Sequence, residues 1–432
     1  MIPNAPDQKT ASAGPRCASR LDRRAFVKSL TAGAALAAGS MAARGAPQMA
    51  TGNVYDAAVI GAGCFGAWIA QDLQESGLKV VLLDGYGPGN ARSSSGGESR
   101  VIRMGYGADE IYARWAIRDL GLWKELSERV GQSLFRQTGV LWLAHESDGY
   151  ENHCLASFQK LGVQYEKLAR AELERRYPQI ALGEVSWGLL EPGSGALLAR
   201  RAVQAVVEEA RRKGAEYRTA AVEPPRAKGK LNSVTTRAGD HIDAGVFVFA
   251  CGPWLSKVFP ELLGNRIFPT RQEVFFFGTP AGDPRFAPPA MPVWIVLKDE
   301  YYGLPDLESR GLKIAFDRHG PTFDPDSGTR VVTVEGLQAA AGYLARRFPA
   351  MSGAPVVETR VCQYENTSNG DFLIDRHPDL SNVWLVGGGS GHGFKHGPSV
   401  GEYMAARITG AGKLEPRFTL ATKKTVQRRA IF

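Results

Sequence analysis

Residues 54–86 read VYDAAVIGAGCFGAWIAQDLQESGLKVVLLDGY (Val54 to Tyr86), and the punctuation of this stretch decides the fold. Apolar Val54 to Ile60 reads as a buried strand, followed at once by Gly61-Ala62-Gly63-Cys64-Phe65-Gly66. A helix is expected to about Ser76, then a second strand from Lys79 to Leu83 that ends in Asp84. The spacing has a chemical reason. Gly61 allows the tight turn, Gly63 lets a pyrophosphate approach the backbone, and Gly66 lets helix and strand pack closely. The helix N-terminus favours phosphate charge. Asp84 stands where an acid accepts ribose hydroxyls. The segment therefore predicts an α/β, Rossmann-like domain that binds a dinucleotide, without separating FAD from NAD.

Upstream, DRRAFVKSLTAGAALAAGSMAARGAPQ (Asp22 to Gln48) sets Arg23 and Arg24 before Phe26 and Lys28, then turns mildly apolar and small. The pattern resembles a twin-arginine export signal, expected over residues 1–46 with cleavage between Ala42 and Ala50. Its apolar run is shorter than the roughly 20 residues a membrane span requires. A periplasmic or otherwise exported location, reached through the twin-arginine machinery, is the expectation. Residues 1–46 carry seven Lys/Arg and two Asp/Glu, hence +5 of the formal +8. Residues 47–432 are close to balanced in charge, which excludes a polybasic nucleic-acid binder. Cys64, Cys154, Cys251 and Cys362 show neither a disulfide framework nor a metal-ligand pair, and no metal is expected. The remaining length suits two domains.

Downstream the elements alternate. A Gly/Ser-rich loop over residues 85–97 leads into ESRVIRMGYG, and a helix is expected from about Ile111 to Val130. Gly139 to Leu143 reads as a strand, and Leu198 to Lys213 is amphipathic. Strands are expected near Ala215, Val234 and Val246 to Ala250, the last running into ACGPW. Residues 266–350 are rich in β-formers and aromatics, with Pro-rich loops at 279–292 and 317–330. Near the C-terminus, NVWLVGGGSGHGFKHGPSVGE reads as a strand, a Gly-rich loop and a helix starting near Pro398.

Four motifs taken together resemble the FAD-dependent D-amino-acid-oxidase (DAO) superfamily, within it the monomeric sarcosine oxidase and N-methyltryptophan oxidase group. They are VIGAGCFGAWIAQDL with LLD, SRVIR, YYGLPDLESRGLKIAF, and RVCQY with FLIDRHP and GSGHGFKHGPSVGE; the match covers residues 54–420. The resemblance implies a Rossmann-like FAD-binding domain interrupted by an α+β substrate domain with an antiparallel sheet. Boundaries are expected at 51–140, 191–265 and 355–420 for the first domain and 141–190 and 266–354 for the second. Residues 421–432 form a basic tail.

The resemblance also implies roles. Arg103 and Lys395 clamp the substrate carboxylate, a guanidinium binding it bidentately and an ammonium adding a point charge. Lys313 activates oxygen, whereas as a bare pattern an apolar-flanked lysine is an edge-strand gatekeeper. Tyr302 and Tyr364 line the substrate pocket. Arg100 lies near the flavin ring or is a structural ion-pair partner. Gly391 and Gly393 belong to the flavin-facing loop, which Lys395 shares, and His392 orients that loop. Cys362 attaches the flavin through a thioether, with Arg360 lowering its thiol pKa; alone, such a cysteine is a small buried apolar residue.

Two positions depart from the group. Its histidine four residues after the lysine is here Asp317, and its histidine before SRVIR is here Gly96. A carboxylate beside an amine attracts a cationic group, so a second charge on a larger substrate is expected to be read at Asp317. The implied reaction is oxidation of the secondary amine of an N-substituted amino acid, giving an imine that hydrolyses, with oxygen reduced to hydrogen peroxide. Three alternatives stay open: a flavin dehydrogenase passing electrons to a quinone or other acceptor, an NAD-dependent dehydrogenase, and a non-catalytic amino-acid-binding protein.

Overall fold

In a computed structural model, which describes residues 55–427, the Tyr55–Ile60 strand lies inside a seven-stranded sheet. Its neighbours are His241–Phe249 and Val80–Asp84, both parallel to it. Glu216–Thr219 and Val383–Gly387 extend the sheet in parallel, and Leu373–Arg376 closes one edge antiparallel. The central strands are near-continuous apolar runs because helices and loops cover both of their faces. Val81, Leu83, Val383 and Leu385 are fully buried.

The turn after the first strand takes the shape its glycines permit. Gly61 has φ +108°, and a Cβ there would stand 2.3 Å from the Ala250 carbonyl oxygen. A Cβ on Gly66 would stand 1.8 Å from the Gly61 carbonyl oxygen, so helix Cys64–Glu75 lies directly against the turn. This helix and strand Val80–Asp84 agree with the sequence reading to within a residue or so. So do helices Glu110–Val130, Ala199–Arg212 and Gly397–Ile408.

A second sheet has eight strands, in the order Val356–Asn366, Phe268–Phe277, Leu312–Phe316, Tyr301–Leu304, Val293–Val296, Val140–Ala144, Trp187–Glu191, Glu166–Ala169. All its pairs are antiparallel except Val293–Val296 with Val140–Ala144. Side chains alternate between its faces. Phe275, Phe277, Leu312 and Ile314 enter a core shared with Leu344 of helix Val334–Arg347. Val274, Phe276, Ala315 and Cys362 form a separate small apolar cluster with Tyr302 packed on it.

Residues 355–420, which sequence reading assigned as a block to the nucleotide-binding domain, divide between the sheets. Val356–Asn366 pairs along its length with Phe268–Phe277, and only Leu373–Arg376 and Val383–Gly387 join the parallel sheet. A short three-stranded sheet, with Gly195–Leu197 between Arg100–Ile102 and Phe135–Arg136, carries the arginine segment. The expected export signal lies outside the described residues. Among the described residues no helix is long and apolar enough to cross a membrane.

The contact at Gly66 is the tightest constraint in the turn. Gly66→Ala should destabilise the protein by about 1–3 kcal/mol through overpacking, read as a lower thermal midpoint. An unchanged midpoint would mean that the helix withdraws from the turn at no cost.

Candidate active site

The helix that starts after Gly63 begins at the wall of a long cleft, which Gly61, Gly63, Cys64 and Phe65 line. A Cβ on Gly63 would meet only Ser95 Oγ, at 3.5 Å, so the space before it is open to a ligand. Cys64 N donates to the same Ser95 Oγ at 3.0 Å. Asp84 lies at the edge of the cleft and accepts from the backbone N–H groups of Ala62, Tyr86 and Gly87 at 2.8–2.9 Å. The cleft runs past Ser93–Ser95, Arg100 and the 250–254 turn to Cys362–Glu365, Gly391 and Gly393.

Its lining fits an extended dinucleotide. Gln363 Oε1 and Glu365 Oε1 are buried in the cleft wall without a hydrogen-bond partner in the protein. Burial pushes the Glu365 carboxyl up to about 8, against the opposing pull of the Gly388 and Gly389 amides. That shift favours the protonated carboxyl, whose O–H can donate to hydroxyl or other polar groups of a cofactor. The helix N-terminus at the cleft suits a pyrophosphate.

Arg100 and Cys362 meet at the deep end. Arg100 Nη2 lies 3.1 Å from Cys362 Sγ and donates to Ser94 O at 2.7 Å, while Nη1 donates to Ser99 O at 2.8 Å. Sequence reading named Arg360 as the cation beside this thiol. The structure gives that contact to Arg100, because Arg360 is held by Gly96 O at 2.6 Å and by Glu98 at 3.3 Å. Lys313 is on the other side of the same segment, its Nζ donating to Ser99 O at 2.9 Å. Burial first, then the Arg100 charge, lowers its pKa to about 7.

Beyond the cleft lining lies a second group of charges. Arg103 stacks on the rings of Tyr106 (4.6 Å) and Trp142 (4.9 Å) and donates to Gly105 O. Lys395 Nζ donates to Tyr106 OH at 2.8 Å and to His392 O at 2.9 Å. Both cations are buried, and burial together with the Arg103 charge holds the Lys395 amine well below its ordinary pKa. Glu191 fixes the backbone that carries Arg103, accepting from Met104 N at 2.7 Å, Trp142 Nε1 at 2.8 Å and Ser194 Oγ at 2.7 Å.

Asp317 completes the arrangement. It accepts from Tyr364 OH at 3.0 Å, and burial raises its pKa against the opposing effects of that bond and of the Arg103 and Lys395 charges. Tyr302 is hydrogen-bonded to Tyr364, and burial pushes its phenol up to about 12. Of the residues singled out in the sequence, Gly61, Gly63, Asp84, Arg100, Cys362, Tyr364, Gly391 and Gly393 line the cleft. Gly66 packs behind it. Arg103, Lys395, Asp317, Tyr302 and Lys313 lie outside that lining, on the sheet and loops adjoining it.

Sequence reasoning missed Tyr106, Glu191, His396 and Asp119. Tyr106 stands three residues after Arg103, and His396 directly follows Lys395, but neither position shows a spacing signal. Asp119 and Glu191 act through contacts far apart in the chain, which no local pattern announces.

Known proteins share this arrangement of sequence and fold. Residues 56–407 match the sequence profile of the family described as DAO, FAD dependent oxidoreductase. Monomeric sarcosine oxidase of Bacillus sp. (strain NS-129) is 30% identical over 369 residues, 84% of this chain and 94% of that protein. Human peroxisomal sarcosine oxidase is 29% identical over 376 residues, covering 85% and 95%. N-methyl-L-tryptophan oxidase of Salmonella arizonae (strain ATCC BAA-731 / CDC346-86 / RSK2980) is 30% identical over 359 residues, covering 81% and 94%. In fold, L-proline dehydrogenase from P. horikoshii superimposes with TM-score 0.74 at 24% identity, covering 85% of this chain and 97% of that one.

Proposed function

The chain belongs to the FAD-dependent oxidoreductase (DAO) family, and from that premise we propose that it oxidises the secondary amine of an N-substituted, in the simplest case N-methyl, amino acid, with oxygen reduced to hydrogen peroxide. The observation that carries this reading is the pairing of two buried basic side chains, Arg103 and Lys395, on one tyrosine, Tyr106, beside Asp317. Two cations held in a dry site match a carboxylate. A half-buried carboxylate held by Tyr364 matches the amine or a second positive group next to it.

A flavin held in this cleft would supply the two-electron oxidation of the carbon–nitrogen bond to an imine, which water hydrolyses. The protein supplies orientation. Arg103 and Lys395 hold the acid, Tyr302 and Tyr364 wall the amine, and Asp317 accepts a hydrogen bond on its open side. Lys313, set apart from the carboxylate clamp and beside Arg100, supplies positive charge where oxygen is reduced.

Arg103→Met should raise the Michaelis constant for the preferred N-methyl amino acid by an amount equivalent to about 2–4 kcal/mol, the loss of one charged partner of a buried carboxylate. Lys313→Met should slow reoxidation of the enzyme by oxygen far more than its reduction by substrate. The sign of the pH effect follows from the lowered pKa: the Lys313 amine is charged below about 7 and neutral above, so reoxidation in the wild type should slow as pH rises through that value. Anaerobic and aerobic stopped-flow runs separate the two half-reactions. Equal slowing of both by Lys313→Met would make Lys313 a substrate-side or structural residue.

The flavin is proposed to be covalently held by Cys362, the thiol that Arg100 contacts at the deep end of the cleft. After acid denaturation, flavin fluorescence should stay with the polypeptide on a gel and disappear in Cys362→Ser. Flavin released from the wild type would end this part of the reading.

An enzyme completed around its cofactor has to be exported folded, which is the proposed reason for Arg23 and Arg24. Changing both to lysine should leave active, flavin-loaded enzyme in the cytoplasm. Undiminished export would place the targeting information elsewhere.

A further inference from the structure

Behind the clamp runs a hydrogen-bonded chain of buried titratable groups that the reaction does not itself require. Asp119, on helix Glu110–Val130, accepts from Ser399 N at 2.8 Å through Oδ1, and its Oδ2 lies 2.7 Å from His396 Nδ1. His396 Nε2 lies 2.7 Å from Tyr106 OH, which in turn contacts Lys395 Nζ at 2.8 Å. Asp119 and His396 are both fully buried. The chain thus leads from a carboxyl without solvent access to the ammonium that faces the substrate acid.

We propose that Asp119, His396 and Tyr106 are positioning residues that store one proton and pass it to Lys395 when a carboxylate binds, so that the Lys395 arm of the clamp is charged while occupied and neutral while empty, with Arg103 charged throughout. The inference rests on Lys395 as a carboxylate partner.

The direction of transfer follows from the surroundings. Burial pushes the Asp119 carboxyl up, with the Glu402 charge adding to it and the Ser399 contacts and Lys395 opposing it. Burial and Arg103 push the Lys395 amine down, while Asp119, Asp317 and Glu191 push it back up. His396 is kept neutral by burial, Lys395 and Arg103. Rings of Tyr112, Trp115 and Phe372 pack against it. His392, also kept neutral by burial first, faces Tyr106 from the Gly-rich loop at 3.2 Å. An empty site therefore favours the uncharged pair.

In that form Asp119 donates its proton to His396 Nδ1, His396 Nε2–H donates to Tyr106 O, and Tyr106 O–H donates to the Lys395 amine. An arriving carboxylate stabilises an ammonium at Nζ. The Tyr106 proton then moves to Nζ, the His396 Nε2 proton to Tyr106 O, and the Asp119 proton to His396 Nδ1. Three protons each move one bond, His396 changes tautomer, and no proton enters from solvent. The final state is an Asp119 carboxylate and a Lys395 ammonium, with the same net charge as before.

The experiment is calorimetric titration of the flavin-loaded enzyme with butanoate, an isostere of N-methylglycine that carries the acid but no amine. Titrations at pH 8 in phosphate and in Tris, whose ionisation enthalpies differ, give the number of protons exchanged with solvent on binding. Asp119→Asn and Tyr106→Phe, which cut the chain at its end and in its middle, should each take up about one more proton than wild type, because Lys395 must then be charged from solvent. Affinity in both variants should also fall about tenfold per pH unit above the amine pKa.

Unchanged proton uptake in both variants would overturn the relay, even with weakened binding, since a purely structural role lowers affinity without changing proton stoichiometry. Should Asp119→Asn fail to fold, Tyr106→Phe alone decides. Lys395→Met separates the two readings. If it binds butanoate as tightly as wild type, the clamp itself is wrong; if it weakens binding while the other variants keep the wild-type proton count, only the relay fails.

Discussion

Strand Phe268–Phe277 pairs antiparallel with Leu312–Phe316 on one side and Val356–Asn366 on the other, and the site depends on that register. It places Phe276 opposite Lys313, Val274 opposite Ala315, Gln272 opposite Cys362 and Thr270 opposite Tyr364. Because side chains alternate along a strand, these pairs put Lys313, Cys362 and Tyr364 on one face. The other face, Phe275, Phe277, Leu312 and Ile314, is committed to the apolar core. A slip of one residue would bury the lysine among those rings and turn the core residues toward the cleft, so packing behind the sheet fixes the chemistry in front of it. Function here is a by-product of a well-specified core.

The second constraint is charge. Arg103 and Lys395 are both buried, and an uncompensated buried cation costs far more than a surface one. The structure answers with Glu191, Asp317 and Asp119, each drawn from a different element. Glu191 is saturated by donors, so it is a fixed anion that orients the Arg103 turn. Asp317 is only half-buried and accepts from Tyr364 OH at 3.0 Å. Asp119 is remote and reaches Lys395 through two other side chains. These three carboxylates thus occupy three environments: one saturated by donors, one partly exposed and one fully enclosed.

Much of this was legible in sequence where the determinant is local. The Gly61–Gly66 turn is set by backbone geometry within a few residues, and Asp84 follows from the length of one βαβ step. Cys362, Lys313 and the Gly-rich loop were legible through resemblance, since their motifs are contiguous. What stayed hidden is what long-range contact decides. Tyr106 meets His396 across 290 residues and Asp119 meets His396 across 277. Arg360 looked like the partner of Cys362 because it is two residues away on the same strand, yet Glu98 and Gly96 hold it and Arg100 takes the place. Sequence proximity is a weak guide to contact when an opposing loop carries its own charge.

The short segment ESRVIRMGYG shows how one stretch serves two ends of the site. Arg100 begins a three-residue strand paired to Gly195–Leu197, and that pairing holds its guanidinium against Ser94 O and Cys362 at the cofactor end. The strand stops at Ile102, so Arg103 is free of the ladder and precedes a turn whose Met104 and Gly105 amides Glu191 holds. Ser99, between them and Lys313, gives its carbonyl oxygen to both Arg100 and Lys313. Two arginines three residues apart thus reach different neighbours, Ser94 and Cys362 for Arg100 and the Tyr106 and Trp142 rings for Arg103, because the strand between them is short. One more residue of regular pairing would carry Arg103 into the ladder and away from the Tyr106 and Trp142 rings on which it stacks.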